Sequence, residues 1–235
     1  MSNGKLYLIP APLGPALGHT LPPYVADIVG QLDVFVVEGA KTARHFIKEI
    51  CPAKALPTLL FFELNEHTPL ESIASFLKPA EMGQDIGLMS EAGCPGVADP
   101  GAALVRLAHE KGIEVIPLVG PSSILLALMA SGMNGQSFCF HGYLPAKRPE
   151  LEKGLKNLEQ LALRHKQTQL FIEAPYRNHQ VMEAALKVLA PSTYFGIAID
   201  ITLPSQWIKS QQINKWREGA LPELHKRPAV FMIGV

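Results

Sequence analysis

Two acids, three glycines and two prolines fall within the thirteen residues Met89 to Gly101, MSEAGCPGVADPG, directly after the apolar run DIGLM. Glycine loses more backbone freedom on folding than any other residue and proline gives up an amide donor, so such a loop is costly unless it has a task beyond connecting. Small side chains at Ala92, Gly93 and Val97 let a ligand approach backbone amides and carbonyls, and the Glu91 carboxylate can accept from its hydroxyl groups. Asp99 offers a second carboxylate, or else caps the helix beginning near Pro100 with that proline at the first helical position. Cys94 has no base specified beside it and reads as a small buried filler rather than a nucleophile. Two more segments share this character, APLGPALG and VGPSS, the latter offering Ser122 and Ser123 as helix-capping hydroxyls. Glu38, Arg44 and Glu66 supply charge for work on a substrate, although each also reads as an ordinary solvated residue. Lys147, Arg148 and Arg177 form a modest basic lip or a solvated face.

These groups need a frame. KLYLI, DVFVVE, DIGLM and EVIPLV, then SFCFHG, TQLFIEA, YFGIAIDI and PAVFMIGV, are short β-branched or aromatic runs separated by longer helical patterns. Their alternation predicts an α/β fold whose strands are mostly parallel, at least in the first half. AALVRLAHEKG sets Leu104, Leu107 and Ala108 on one face and stops at Gly112, and PSSILLALMASG opens on Pro and Ser and closes at Gly132, so both are helices. Each irregular segment follows a strand. The three therefore share the carboxyl rim of a sheet, where exposed backbone groups and helix N-termini converge on ligands, and together they imply one site.

With 235 residues the chain can form two compact α/β lobes, 1–120 and 121–235, with a hinge near Gly120 to Gly135. Lysine and arginine equal aspartate and glutamate at 21 each, which excludes a global basic field but not a local patch. The three cysteines, Cys51, Cys94 and Cys139, are spaced for reduced thiols and not for a zinc site, and no metal is expected. No apolar run approaches the ~18 residues of a membrane span, so the expectation is a soluble, cytoplasmic protein with no membrane partner.

The segments LYLIPAPLGPALGHTLP, GLMSEAGCPGVADPG, VIPLVGPSSILLALMASG, FHGYLP, LFIEAPYR and RPAVFMIGV occur in an order and spacing that resembles the tetrapyrrole-methylase-like family of S-adenosylmethionine-dependent methyltransferases. The branch most similar is that of the small-subunit ribosomal RNA (cytidine-2'-O)-methyltransferases. The resemblance implies two α/β lobes with S-adenosylmethionine (SAM) in the cleft between them, commonly in a homodimer. It also implies that Leu13, Glu91, Ala92, Gly93, Val97, Asp99, Ser122 and Ser123 bind the cofactor from the first lobe and its border. Glu173, Ala174, Pro228 and Ala229 embrace it from the second.

Glu38 and Arg44 become the catalytic candidates, with Glu38 taking the proton of a ribose hydroxyl in 16S ribosomal RNA. The chain also departs from that branch. VEGAKTARHF keeps Glu38 and the Arg44–His45 pair but lacks an adjacent Asp, and IDITLPSQ stands where a basic RELTK segment is usual. A tetrapyrrole-like small-molecule acceptor and a SAM-binding module without catalysis are the alternatives.

Overall fold

A computed structural model describes residues 2–15, 18–65 and 67–235, which divide into two compact units, one ending at Ser122 and the other running from Ser123 to Val235. The first unit runs β1 (Lys5–Ile9), α1 (Pro23–Gln31), β2 (Val34–Val37), α2 (Ala40–Ile50), β3 (Leu60–Glu63), α3 (Leu70–Ser75), α4 (Lys78–Glu81), β4 (Ile86–Met89), α5 (Gly101–Glu110) and β5 (Glu114–Pro117). Its sheet has the order β3-β2-β4-β1-β5 and is parallel throughout.

Both faces of this sheet are covered, and for that reason the central strands read as unbroken apolar runs. Val34, Val36, Ile86 and Leu88 pack on one face with Ile73, Leu77, Leu104 and Ala108. Phe35, Val37 and Met89 pack on the other with Val25, Val29, Ala43 and Ile47. Alternate residues of β2 thus serve opposite cores, as the period of a strand requires. The register aligns Met89 with both Ile9 and Val37, and Val37 with Glu63. All the strands therefore end on one rim.

The second unit runs α6 (Ser123–Ser131), β6 (Phe138–Tyr143), α7 (Arg148–His165), β7 (Thr168–Ile172), α8 (Asn178–Val188), β8 (Tyr194–Ile199), β9 (Trp207–Gln212), α9 (Ile213–Glu218) and β10 (Ala229–Gly234). Its sheet, ordered β6-β7-β10-β8-β9, is mixed: β6 and β7 are parallel, and the remaining pairs are antiparallel. Leu151, Leu155 and Leu158 of α7 and Val181 and Ala185 of α8 pack on Phe171, Phe195 and Phe231. Helix α6 packs against β8, β9 and β10.

Two strands were not foreseen, β3 (LFFE) and β9 (WIKSQQ). Each is a sheet edge, where only one neighbour demands apolar residues, so neither carries a strong alternating signal. Helix α5 begins one residue later than expected. Pro100 stands at the N-cap with helical dihedrals and Gly101 is the first helical residue. Leu104 and Ala108 are buried and Leu107 partly so, and Gly112 ends the segment at φ 65°.

Candidate functional site

The rim of the first sheet gathers carboxylates around the start of α2. Gly39, at the N-cap, has no side chain with which to cap the helix. Glu63 at the end of β3 supplies the acceptor instead, its Oε1 receiving the Ala40 amide at 3.1 Å. Glu91 Oε1 accepts from Thr42 Oγ1 at 3.4 Å, and a Cβ on Gly39 would stand 2.9 Å from that same oxygen, so the glycine makes room for Glu91. A helix N-terminus exposes unpaired amides and partial positive charge, which favours such acids. Glu38 follows β2 and takes the Glu91 amide on Oε2 at 3.4 Å. Partial burial holds the Glu38 carboxyl above its ordinary pKa; the Glu91 amide opposes the shift, and the charges of Glu91 and Asp99 add to it.

The glycine-rich loop after β4 is tied down by its own backbone. Gly93, at φ 75°, donates its amide to the Ala11 carbonyl at 3.0 Å and accepts the Ala11 amide at 2.9 Å. Its amide is thereby committed to this bridge, while its carbonyl keeps a second lone pair. Its small size and left-handed φ serve the joint between the β1 and β4 loops, with Leu13 beside it. Ala92, Val97 and Ala98 remain exposed, and Ala98 holds φ 60° without being glycine, a strained conformation of the kind that collects at functional loops.

Asp99 accepts the Gly96 amide at 2.8 Å and the Gly101 amide at 2.7 Å, tying the loop to the start of α5. Burial raises the Asp99 pKa, and these two amides oppose the rise. Glu38 and Asp99 share the wall of a cleft of about 10 Å³, with room for a single water. The Cys94 thiol donates to the Pro121 carbonyl at 3.5 Å, and burial pushes its pKa up. A thiol held protonated is a filler and not a nucleophile. Ser122 closes the first unit and Ser123 opens α6, both half-buried.

Arg44, on the exposed side of α2, lies over the Phe61 ring with its guanidinium carbon 4.5 Å from the centroid. Glu66 lies outside the described residues.

In the second unit the charges at the strand ends are neutralised. Glu173 follows β7 and is 5% exposed; its Oε1 accepts the Ala174 amide at 2.8 Å. Arg177 Nη2 stands 3.1 Å from Glu173 Oε2, yet out of line for a hydrogen bond, so Oε2 is a buried acceptor with no donor. Arg177 also donates to the Pro145 carbonyl at 3.2 Å, and Arg148 pairs with Glu152 and Glu183 at 3.4 Å each. The basic lip is therefore not formed, because two of its three members are spent on carboxylates. Past β8, Asp200 accepts from Arg227 Nε and Ser205 Oγ at 2.8 Å each. The same guanidinium reaches the Ser205 carbonyl at 2.6 Å and the Glu223 carbonyl at 3.1 Å. This clamp ties the turn after β8, where Asp200 and Thr202 take φ of 48° and 74°, to the turn entering Pro228, where Lys226 takes 56°.

Glu63, Gly39, Asp200 and Arg227 were missed in the sequence. Glu63 was hidden because β3 was not foreseen; Asp200 ends a strand that was, and its position alone could have flagged it. Within the second unit, the buried Glu173 Oε2 is an acceptor with no donor; within the first, the loop keeps Ala92, Val97 and Ala98 exposed. Among the described residues, no group of three or more His, Cys, Asp or Glu side chains could hold a metal ion, and no helix is long and apolar enough to cross a membrane.

The family model for Tetrapyrrole (Corrin/Porphyrin) Methylases matches residues 5–213. Over 201 residues the chain is 31% identical to the ribosomal RNA small subunit methyltransferase I of Escherichia coli O157:H7, an alignment covering 86% of this chain and 66% of that protein. The chain thus spans about two thirds of that relative's length. Among solved structures it is similar to the methyltransferase CobJ, with a TM-score of 0.63 and 22% identity, covering 98% of this chain and 94% of that one. It is also similar to uroporphyrin-III C-methyl transferase from Thermus thermophilus complexed with S-adenyl homocysteine, at a TM-score of 0.56 and 16% identity over 98% and 97% of the two chains.

Proposed function

Because the chain belongs to the tetrapyrrole (corrin/porphyrin) methylase family, we propose that it uses S-adenosylmethionine to methylate the 2'-hydroxyl of a cytidine in 16S ribosomal RNA. It is a SAM-dependent methyltransferase, and the finer assignment to a ribose hydroxyl rests above all on Glu38. A ribose hydroxyl is a poor nucleophile until a base takes its proton, whereas a carbon or nitrogen acceptor on a macrocycle needs less help. Glu38 stands at the end of β2 with its carboxyl held above the usual carboxylate range, which makes it a better proton acceptor. The name of the Escherichia coli relative agrees with this reading.

Bound SAM supplies a methyl group already activated on a sulfonium. Ala92, Val97 and the loop they belong to, with Leu13, would line it; the start of α6 at Ser122 and Ser123 would receive its carboxylate; Glu173 Oε2 would accept from a hydroxyl or amine. Ala174, Pro228 and Ala229 are the second unit's own candidates for contact with the cofactor, and Gly93 and Asp99 hold the first unit's loop in shape. The protein's main task is then to orient the acceptor oxygen, an effect worth roughly 7 to 11 kcal/mol where the geometry is good. Arg44, fixed over Phe61, offers a planar guanidinium to the substrate. A homodimer working in the cytoplasm completes the proposal.

The test is methyl transfer from labelled SAM into small ribosomal subunits purified from a strain lacking this gene, with mapping of the modified nucleotide. Label on a cytidine ribose supports the reading. No incorporation, alongside labelling of a tetrapyrrole macrocycle, overturns it. Cofactor binding is read separately as a rise in melting temperature with S-adenosylhomocysteine, since a ligand present at a hundredfold its Kd stabilises the native state by about 2.7 kcal/mol.

A further inference from the structure

We infer that the outward face of α2 binds the phosphate backbone of the RNA substrate, an inference that rests on the reading of the chain as an RNA methyltransferase. At about 100° per residue, the sequence AKTARHFIKEI turns Ala43, Phe46 and Ile47 to the core. Lys41, Arg44, His45 and Lys48 then fall within about 100° of arc on the opposite side, and all four are exposed. Glu49 borders this stripe but does not enter it. From Lys41 to Lys48 the stripe runs about 10 Å along the helix axis, starting just past Glu38.

Two features separate this stripe from an ordinary solvated face. The chain carries 21 cationic and 21 anionic side chains, so the concentration on one helix does not follow from a basic protein. Several cations elsewhere are spent: Arg148 and Lys187 both reach Glu152, Arg177 reaches Glu173, and Arg227 reaches Asp200. Among the described residues, no carboxylate lies within ion-pair distance of Lys41, Arg44 or His45. The Phe61 ring holds the Arg44 guanidinium in place, and Lys48 gives one N–H to the Pro52 carbonyl, which leaves two for a ligand. Phosphates spaced along a strand are the ligand that a row of uncompensated cations suits, and their affinity is dominated by such contacts. A strand laid along α2 keeps its phosphates over the cations and brings a ribose to Glu38 where the helix starts.

The experiment compares three proteins: wild type, the Lys41→Gln/Lys48→Gln double variant, and the Lys153→Gln/Lys156→Gln variant, which removes two exposed cations from α7. Binding to a small-subunit ribosomal RNA transcript is titrated over a series of salt concentrations. Two lost phosphate contacts should flatten the slope of log K against log salt by about 1.4 and weaken binding several-fold at low salt. The melting temperature and S-adenosylhomocysteine binding should stay as in wild type, and the α7 variant should bind RNA normally. An α2 variant with wild-type slope and affinity overturns the inference, even if wild type methylates ribosomal RNA. An α2-dependent slope in a protein that transfers no methyl to RNA keeps the stripe and sinks the methylation reading. Polyglutamate that competes no less at the stripe than the transcript reassigns it to an acidic protein and overturns the RNA assignment.

Discussion

The two sheets treat charge at their strand ends in opposite ways. In the first unit, Glu38, Glu63 and Glu91 crowd the start of α2 with a helix amide, a loop amide and a threonine hydroxyl as their partners, and the Glu38 pKa rises. In the second, Glu173 faces Arg177 and Asp200 faces Arg227. A carboxylate beside a guanidinium is a good tether, whereas one among other carboxylates at a half-desolvated rim is a better base. The proposed proton transfer is therefore assigned to the first rim, and the second rim holds the charge clamps.

The largest effect expected from breaking this contrast is on turnover. Glu38→Gln should lower kcat by about 10² to 10⁴ while S-adenosylhomocysteine binding holds. The melting temperature should be unchanged or slightly higher. The sign comes from linkage: a carboxyl whose folded pKa is raised contributes stability that is present below its ordinary pKa and lost as pH rises through the folded value, so near pH 7 a neutral amide costs nothing. A variant that unfolds early would show instead that Glu38 is structural.

Arg227→Met should do the reverse. It strands the nearly buried Asp200 and should cost about 3 kcal/mol, or roughly 6 to 12 °C of melting temperature in a chain of this size. An unchanged melting curve would show that the clamp contributes no stability.

Gly93→Ala forces a left-handed φ on a residue with a Cβ, at about 1 to 2 kcal/mol. Because the space above Gly93 is open to ordinary contact at 3.5 Å, the cost should appear as strain and not as a clash. Calorimetric melting checks it, and a wild-type melting curve with cofactor binding abolished would support contact between the cofactor and this glycine's backbone.

A gentler change sharpens the comparison. Activity should fall as pH drops through the raised Glu38 pKa, since the protonated acid cannot accept the hydroxyl proton. Glu91→Gln removes a like charge but keeps the Glu91 amide, so it should shift that acid limb to lower pH. A pH profile of kcat that matches wild type would deny the coupling. The smallest effect belongs to Cys94→Ala, which should leave kcat intact and change stability by no more than about 1 kcal/mol.

Much of the first rim could be read from the sequence because its cause is local. A parallel strand buried on both faces is a short apolar run, and the chain leaving it must turn at the sheet's carboxyl edge; DVFVV with Glu38 after it and DIGLM with the Gly93 loop after it both announce themselves. The loop's composition also declared that its backbone was special, although not how. Only the folded chain sets Gly93 against Ala11, because the bridge joins residues far apart in sequence and no local rule names the partner.

The same limit governs the charges. Residue identity alone establishes that Glu38, Arg177, Asp200 and Arg227 carry charge, and the strand pattern places several of them at strand ends. That Asp200 would be neutralised depended on long-range packing, on β10 entering beside β8, whereas Arg177 reaches Glu173 across only four residues of the turn after β7. Composition sets the number of charges, but a pKa responds to what lies within a few ångströms, and that neighbourhood is decided by strand order.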